Sequence, residues 1–172
     1  PGTPPLPAAI RSHSRVGRLR WLTGRREDGE HWDAFEGTGG RRLIDIAKQP
    51  QSWGHVRYWL QDLAEELQAV EREGSPPPAL TLDRVWITHG GRAKLFDVAP
   101  PGTDSPVADS SWETTAFLDQ VASVALGGLP VTGQPAADVP RPLPLHARRF
   151  LSTLPSLPTP GSVVLALRPL LR

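Results

Sequence analysis

Hydrophobic positions recur at spacings of three and four most clearly at Trp53, Val56, Leu60, Leu63, Leu67 and Val70. This pattern predicts an amphipathic helix over residues 53–73. Ser52 stands at its N-cap position, and Gly74 is placed to end it in a left-handed conformation. Asp62, Glu65, Glu66 and Arg72 fall on or beside the face expected to be wet. A second stripe, Phe117, Val121, Val124 and Ala125, predicts a helix over 110–126. Ser110 with Glu113 spells a capping box at its start, and Gly127-Gly128 closes it. The two stripes should pack on each other, with Trp53, Leu60, Leu63 and Leu67 buried.

Elsewhere the period is two. Residues 18–23 and 31–36 alternate polar and apolar and predict an antiparallel hairpin around a charged turn, Gly24 to Gly29. Gly37-Thr38-Gly39-Gly40 breaks it, and Leu43 to Ala47 form a short helical turn before Pro50. Leu80, Leu82, Val85 and Ile87 suggest a strand, Thr88 to Gly91 a tight turn, and Arg92 to Val98 the return. Residues 145–154 and 162–171 read as helices, with Pro169 spoiling the end of the last. Residues 1–9, 75–78, 99–109 and 129–144 are rich in Pro and Gly and read as linker or loop. There is no internal repeat.

Composition narrows the class. Pro and Gly supply 36 of 172 residues, well above the usual share of roughly 12%, which excludes an all-helical bundle or a coiled coil. Nineteen basic residues oppose 18 acidic ones, so nucleic acid is not held by bulk charge. Lys48 and Lys94 are the only lysines; this Arg bias, with abundant Ala, Pro and Gly, reflects a GC-rich coding sequence. No cysteine is present, which removes disulfides, thiolate metal sites and a cysteine nucleophile. No apolar run is long enough to cross a bilayer. The sequence contains no Met and reads as an internal or 5′-truncated piece of a longer protein.

Most local motifs carry no chemistry. Histidines 13, 31, 55, 89 and 146 lack metal-ligand spacing. There is no Gly-x-Ser-x-Gly elbow. The glycines at 37, 39 and 40 lack the Lys-Ser/Thr that a phosphate loop requires. Arginines 11, 15, 18, 20, 25 and 26 read as a solvated strand edge.

One constellation stands apart. The run Leu82-Asp83-Arg84-Val85-Trp86-Ile87-Thr88-His89-Gly90-Gly91-Arg92-Ala93-Lys94-Leu95-Phe96-Asp97-Val98 resembles the protein-kinase hairpin that joins the catalytic loop to the metal-binding Asp-Phe-Gly. The order of the other elements agrees: 32–46 resembles the last small-lobe strand, the hinge and the first large-lobe helix. Residues 53–73, 110–128 and 162–171 resemble three helices of the large lobe. The resemblance covers about 150 of the 172 residues. It implies an α+β, protein-kinase-like fold. Residues 1–17 would be a Pro/Arg-rich linker or remnant, 18–40 the small-lobe hairpin and hinge, and 41–172 a mostly helical C-lobe.

The departures from the family shape the functional expectation. Asp97 falls on the metal-binding Asp, but Val98 and Ala99 replace Phe and Gly. Arg84 falls on the metal-binding Asn, Ala79 on the catalytic Asp, Pro77 and Pro78 on the His-Arg before it, and Thr114 on the central-helix Asp. Phosphoryl transfer needs a positioned metal, a phosphate-holding Lys and an acceptor-orienting carboxylate. Asp83 is the carboxylate nearest to Ala79. The hinge positions Glu36 and Gly37 would face a nucleotide. The resemblance therefore implies a non-catalytic, pseudokinase-like regulatory or scaffolding module of a larger bacterial signalling protein, cytoplasmic, with tethering through other parts of the chain left open. Its partners would be other protein domains or the rest of its own chain. Two alternatives stand: a divergent serine/threonine kinase fragment using ATP and Mg, and an interaction domain unrelated to kinases.

Overall fold

The computed structural model describes residues 6–12, 15–27, 29–74, 80–98, 113–127 and 143–171. The fold is α+β: a helical layer carries a three-stranded antiparallel sheet on one side, and a separate two-stranded hairpin stands N-terminal to both.

The helical layer centres on α3 (Trp53–Glu73). All six residues of its predicted stripe are buried, along with Trp59 and Ala64. Gly74 ends the helix at φ 60°, in the left-handed region a Cβ disfavours. Ser52 occupies the N-cap position, but its side chain makes no capping hydrogen bond. Against α3 pack α4 (Thr114–Ala125) and α6 (Pro160–Leu167). Phe117, Val121 and Ala125 of α4 are buried and Val124 half-buried. The predicted capping box does not form as expected. Glu113 is itself the N-cap residue, with no side-chain capping bond, so it cannot reach back from the third helical position; Ser110 lies outside the described residues. The short helix α5 (Leu145–Thr153) brings Ala147 and Phe150 into the same core. Phe150 meets Trp53 with ring centres 5.9 Å apart. Helix α6 starts two residues earlier than the sequence suggests because Pro160 suits a first turn and Thr159 Oγ1 accepts from Ser162 N–H at 3.2 Å. Pro169 falls in the 3₁₀ turn that replaces its last residues.

Strands β4 (Val85–Thr88) and β5 (Ala93–Leu95) form the expected hairpin, shorter than the sequence suggests. Leu82–Arg84 is a 3₁₀ turn rather than strand. A further strand, β3 (Gly40–Arg42), pairs antiparallel with β4 and leads directly into α2 (Leu43–Ile46). Gly40 has φ 151°, and a Cβ there would lie 2.2 Å from the Ile87 carbonyl oxygen. Only glycine lets β3 approach β4 so closely.

The N-terminal hairpin consists of β1 (Trp21–Glu27) and β2 (Glu30–Phe35). The strands run through most of what the sequence suggests is a charged turn. Arg25 is exposed and Arg26 half-buried beside Asp33, so the strand continues here without an apolar alternation to mark it. Ahead of it lies α1 (Ala8–Arg11). It falls partly in the expected linker and begins just past Pro7, whose carbonyl accepts from Ile10 N–H at 3.0 Å. Arg11 stands over the Trp21 ring, 5.9 Å from its centre.

Candidate functional site

The chemistry-bearing side chains converge where three segments meet: the end of β5, the polar edge of α3, and residues 15–18. Asp97 follows β5 by two residues. Its neighbour Phe96 stacks on Trp86 of β4, ring centres 5.3 Å apart, and the Phe96 N–H donates to the Arg84 carbonyl at 3.0 Å. Arg84 in turn donates from Nη1 to the Asp97 carbonyl oxygen at 2.6 Å. The turn before β4 and the turn after β5 are thereby tied together, fixing where the Asp97 carboxylate points.

That carboxylate accepts from Nη1 of Arg18. Arg18 also donates from Nε to Glu66 Oε1 at 2.8 Å. Its side chain is 2% exposed, and those of Glu66 and Asp97 only 4% and 7%. Arg18 is therefore no solvated edge residue, and Glu66 does not lie on a wet face. A guanidinium can leave water only where carboxylates take its N–H groups, and here two do so at once. Arg15 extends the network to Glu66 at 3.4 Å and to Glu73 at 3.2 Å. Backbone pairing holds the same segment: Leu95 N–H donates to the Gly17 carbonyl at 2.8 Å, and Lys94 Nζ to the Arg18 carbonyl at 3.1 Å.

One turn earlier on α3, Asp62 is also buried, against the expectation of a wet position. Its Oδ2 accepts from Arg92 Nε at 2.9 Å and from Ala93 N–H at 2.9 Å. The carboxylate raises the Arg92 guanidinium pKa further, first through the hydrogen bond and then through its charge. Asp62 thus docks the β4–β5 hairpin on α3. Trp59 adds a second tie, donating Nε1–H to the Gly91 carbonyl at 3.0 Å. Outside this seam runs an open groove of about 670 Å³, whose lining includes His55, Tyr58, Gln61, Glu65, His89 and Arg92.

Ala79, Pro77 and Pro78 lie outside the described residues, as does His13. Asp83 is half-buried in the 3₁₀ turn beside Arg84. Thr114 opens α4. Glu36 and Gly37 are exposed in the connection from β2 to β3; Glu36 N–H donates to the Arg20 carbonyl at 2.8 Å, and its carboxylate lies 3.6 Å from Arg20. Among the described residues, no group of three or more His, Asp or Glu gathers in metal-binding geometry, and no helix is long and apolar enough to cross a membrane.

Neither a scan against protein-family models nor a search of curated proteins finds a match for this chain.

The residues around Asp97 do not suit the metal that the kinase resemblance implies. Its carboxylate already serves Arg18, and Arg84 holds the adjacent carbonyl. One guanidinium on its carboxylate and a second on its backbone carbonyl oppose a divalent cation there. Arg18, Glu66, Asp62 and Arg92 are the members of this cluster that sequence reasoning missed. The one local signal was the i, i+4 spacing of Asp62 and Glu66 beside the Leu63–Leu67 stripe.

Proposed function

We propose that this chain is a non-catalytic, protein-kinase-like module that regulates or scaffolds within a larger signalling protein. The observation that carries this reading is the Arg18–Asp97 pair. The only carboxylate that falls on a kinase metal-binding position is buried against a guanidinium belonging to the chain itself. Arg84, where the family has its second metal ligand, donates to the same residue's backbone. On this reading a protein cation stands where the family's metal would bind.

The arrangement of elements supports the kinase-like part of the reading. The segments that resemble the hinge and the catalytic hairpin meet in one sheet, β3 against β4, and the long helix α3 packs beneath β5.

Calorimetric titration of the chain with MgATP tests the proposal. The expected result is no saturable binding in the micromolar range. Micromolar affinity that disappears in Asp97→Ala would instead establish the divergent-kinase alternative.

A further inference from the structure

Among the described residues, the β1–β2 hairpin contributes no fully buried side chain. It hangs between two tethers. One is the connection 36–39, which leads into β3 at Gly40. The other is the strap of residues 15–18, laid across the polar edge of α3. The described bonds that hold the strap are Arg18 to Glu66 and Asp97, Arg15 to Glu66 and Glu73, and two bonds to β5. At Gly17 the strap comes so close to α3 that a Cβ would lie 2.6 Å from Glu66 Oε2. Val16 beside it is 78% exposed, so the strap brings no apolar anchor of its own.

We propose that residues 15–18 are a latch with two states. Closed, Arg18 seals the Glu66 and Asp97 carboxylates and holds the hairpin against the helical layer. Open, the strap leaves α3, the hairpin swings on its 36–39 tether with α1 attached through Arg11 and Trp21, and both carboxylates face water. A buried ion pair suits such a device, because its attraction is largely offset by the cost of dehydrating the charges. If the strap leaves as a unit, all its charges regain water together and no core side chain moves. Opening is then a local event, far cheaper than unfolding α3. In the closed state the latch keeps the Glu66 and Asp97 carboxylates covered, and only its opening exposes them to a partner. It works by geometry alone, whether or not a nucleotide ever enters the chain.

Amide hydrogen exchange on the whole chain tests this. Arg18→Gln should speed exchange at 21–35 by roughly ten- to a hundredfold, while 56–70 changes by less than about threefold. The double variant Arg18→Gln with Asp97→Asn removes the acid whose described partner is Arg18, while Glu66 keeps Arg15, and so guards against a charge left stranded in the closed form. It should show the same split between the two segments. Unchanged exchange at 21–35 in both variants would overturn the latch, because other contacts would then hold the hairpin. Equal loss of protection in both segments, in both variants, would also overturn it, since Arg18 would then support the whole fold.

Discussion

Leu60, Leu63 and Leu67 of α3 are almost wholly withdrawn from water, in one cluster with Phe117, Val121, Val163 and Leu167. No side chain of the β1–β2 hairpin is buried to that degree, and Trp32 remains 45% exposed. The helical layer is held by apolar area, which acts without direction and is lost only when the layer comes apart. The hairpin is held by its own cross-strand bonds and by a few directed polar contacts at one end. A two-stranded sheet is marginal alone in water, so its order is borrowed from the strap. One molecule thus contains a region whose stability is distributed and a region whose stability sits in a handful of atoms.

The largest effect should come from the first region. Leu63→Ala empties space at the centre of the cluster and should cost on the order of 2–5 kcal/mol in denaturant unfolding. A cost below about 0.5 kcal/mol would mean that α3 is not the centre of the core. Next comes the seam between α3 and the β4–β5 hairpin, where the two partners should differ. Asp62→Ala strands the Ala93 N–H and should cost about 1–3 kcal/mol. Arg92→Ala should cost clearly less, because the Arg92 side chain is 61% exposed and its loss leaves Asp62 still paired with Ala93. Equal costs would show that the ion pair, not the backbone bond, does the docking.

A smaller effect separates the regions by pH. Burial on α4 raises the Asp119 pKa above 3.8. The folded chain therefore takes up this proton before the unfolded chain does, and the group's contribution to stability falls as pH rises through the folded pKa. Asp119→Asn should stabilise the protein at neutral pH, with the advantage shrinking as pH drops towards 3.8. Asp33 in the hairpin has the opposite sign. Burial alone would raise its pKa, but the Trp21 N–H and the Arg26 guanidinium hold it lower. Its contribution is present above 3.8 and lost as pH falls through its folded value. An advantage of Asp119→Asn that does not vary with pH would break this contrast. The smallest effect belongs to the hairpin surface. Glu30→Ala removes an exposed pair with Arg25, 3.2 Å apart, and should change global stability by less than about 0.5 kcal/mol.

The two regions were not equally legible in the sequence. Helix α3 could be read from its period and from Gly74, because one of its faces is apolar along its whole length. The hairpin could be placed but not bounded: Arg25, Arg26 and Glu27 are charged strand residues, and Arg26 is half-buried by pairing with Asp33, so no apolar alternation marks the strand. The least legible feature was the polar cluster. Arg18 reads as a surface residue by type, and its partners lie 48 and 79 positions away. No local pattern links them; only folding the strap over α3 does. Asp97 was found by its place after the hairpin, but its guanidinium partner was not, and that partner decides what the carboxylate can do.

The indole rings divide along the same line, which gives the protein an optical signature. Trp53 and Trp59 are almost sealed and should emit at short wavelength, out of reach of an ionic quencher such as iodide. Trp32 stands in the solvent and should be quenched readily in the native chain. With Trp112, which lies outside the described residues, replaced by Phe, iodide quenching should report chiefly on the hairpin, while the unquenched remainder follows the helical layer. Loss of the hairpin's position and loss of the core would then be visible as separate signals in one cuvette.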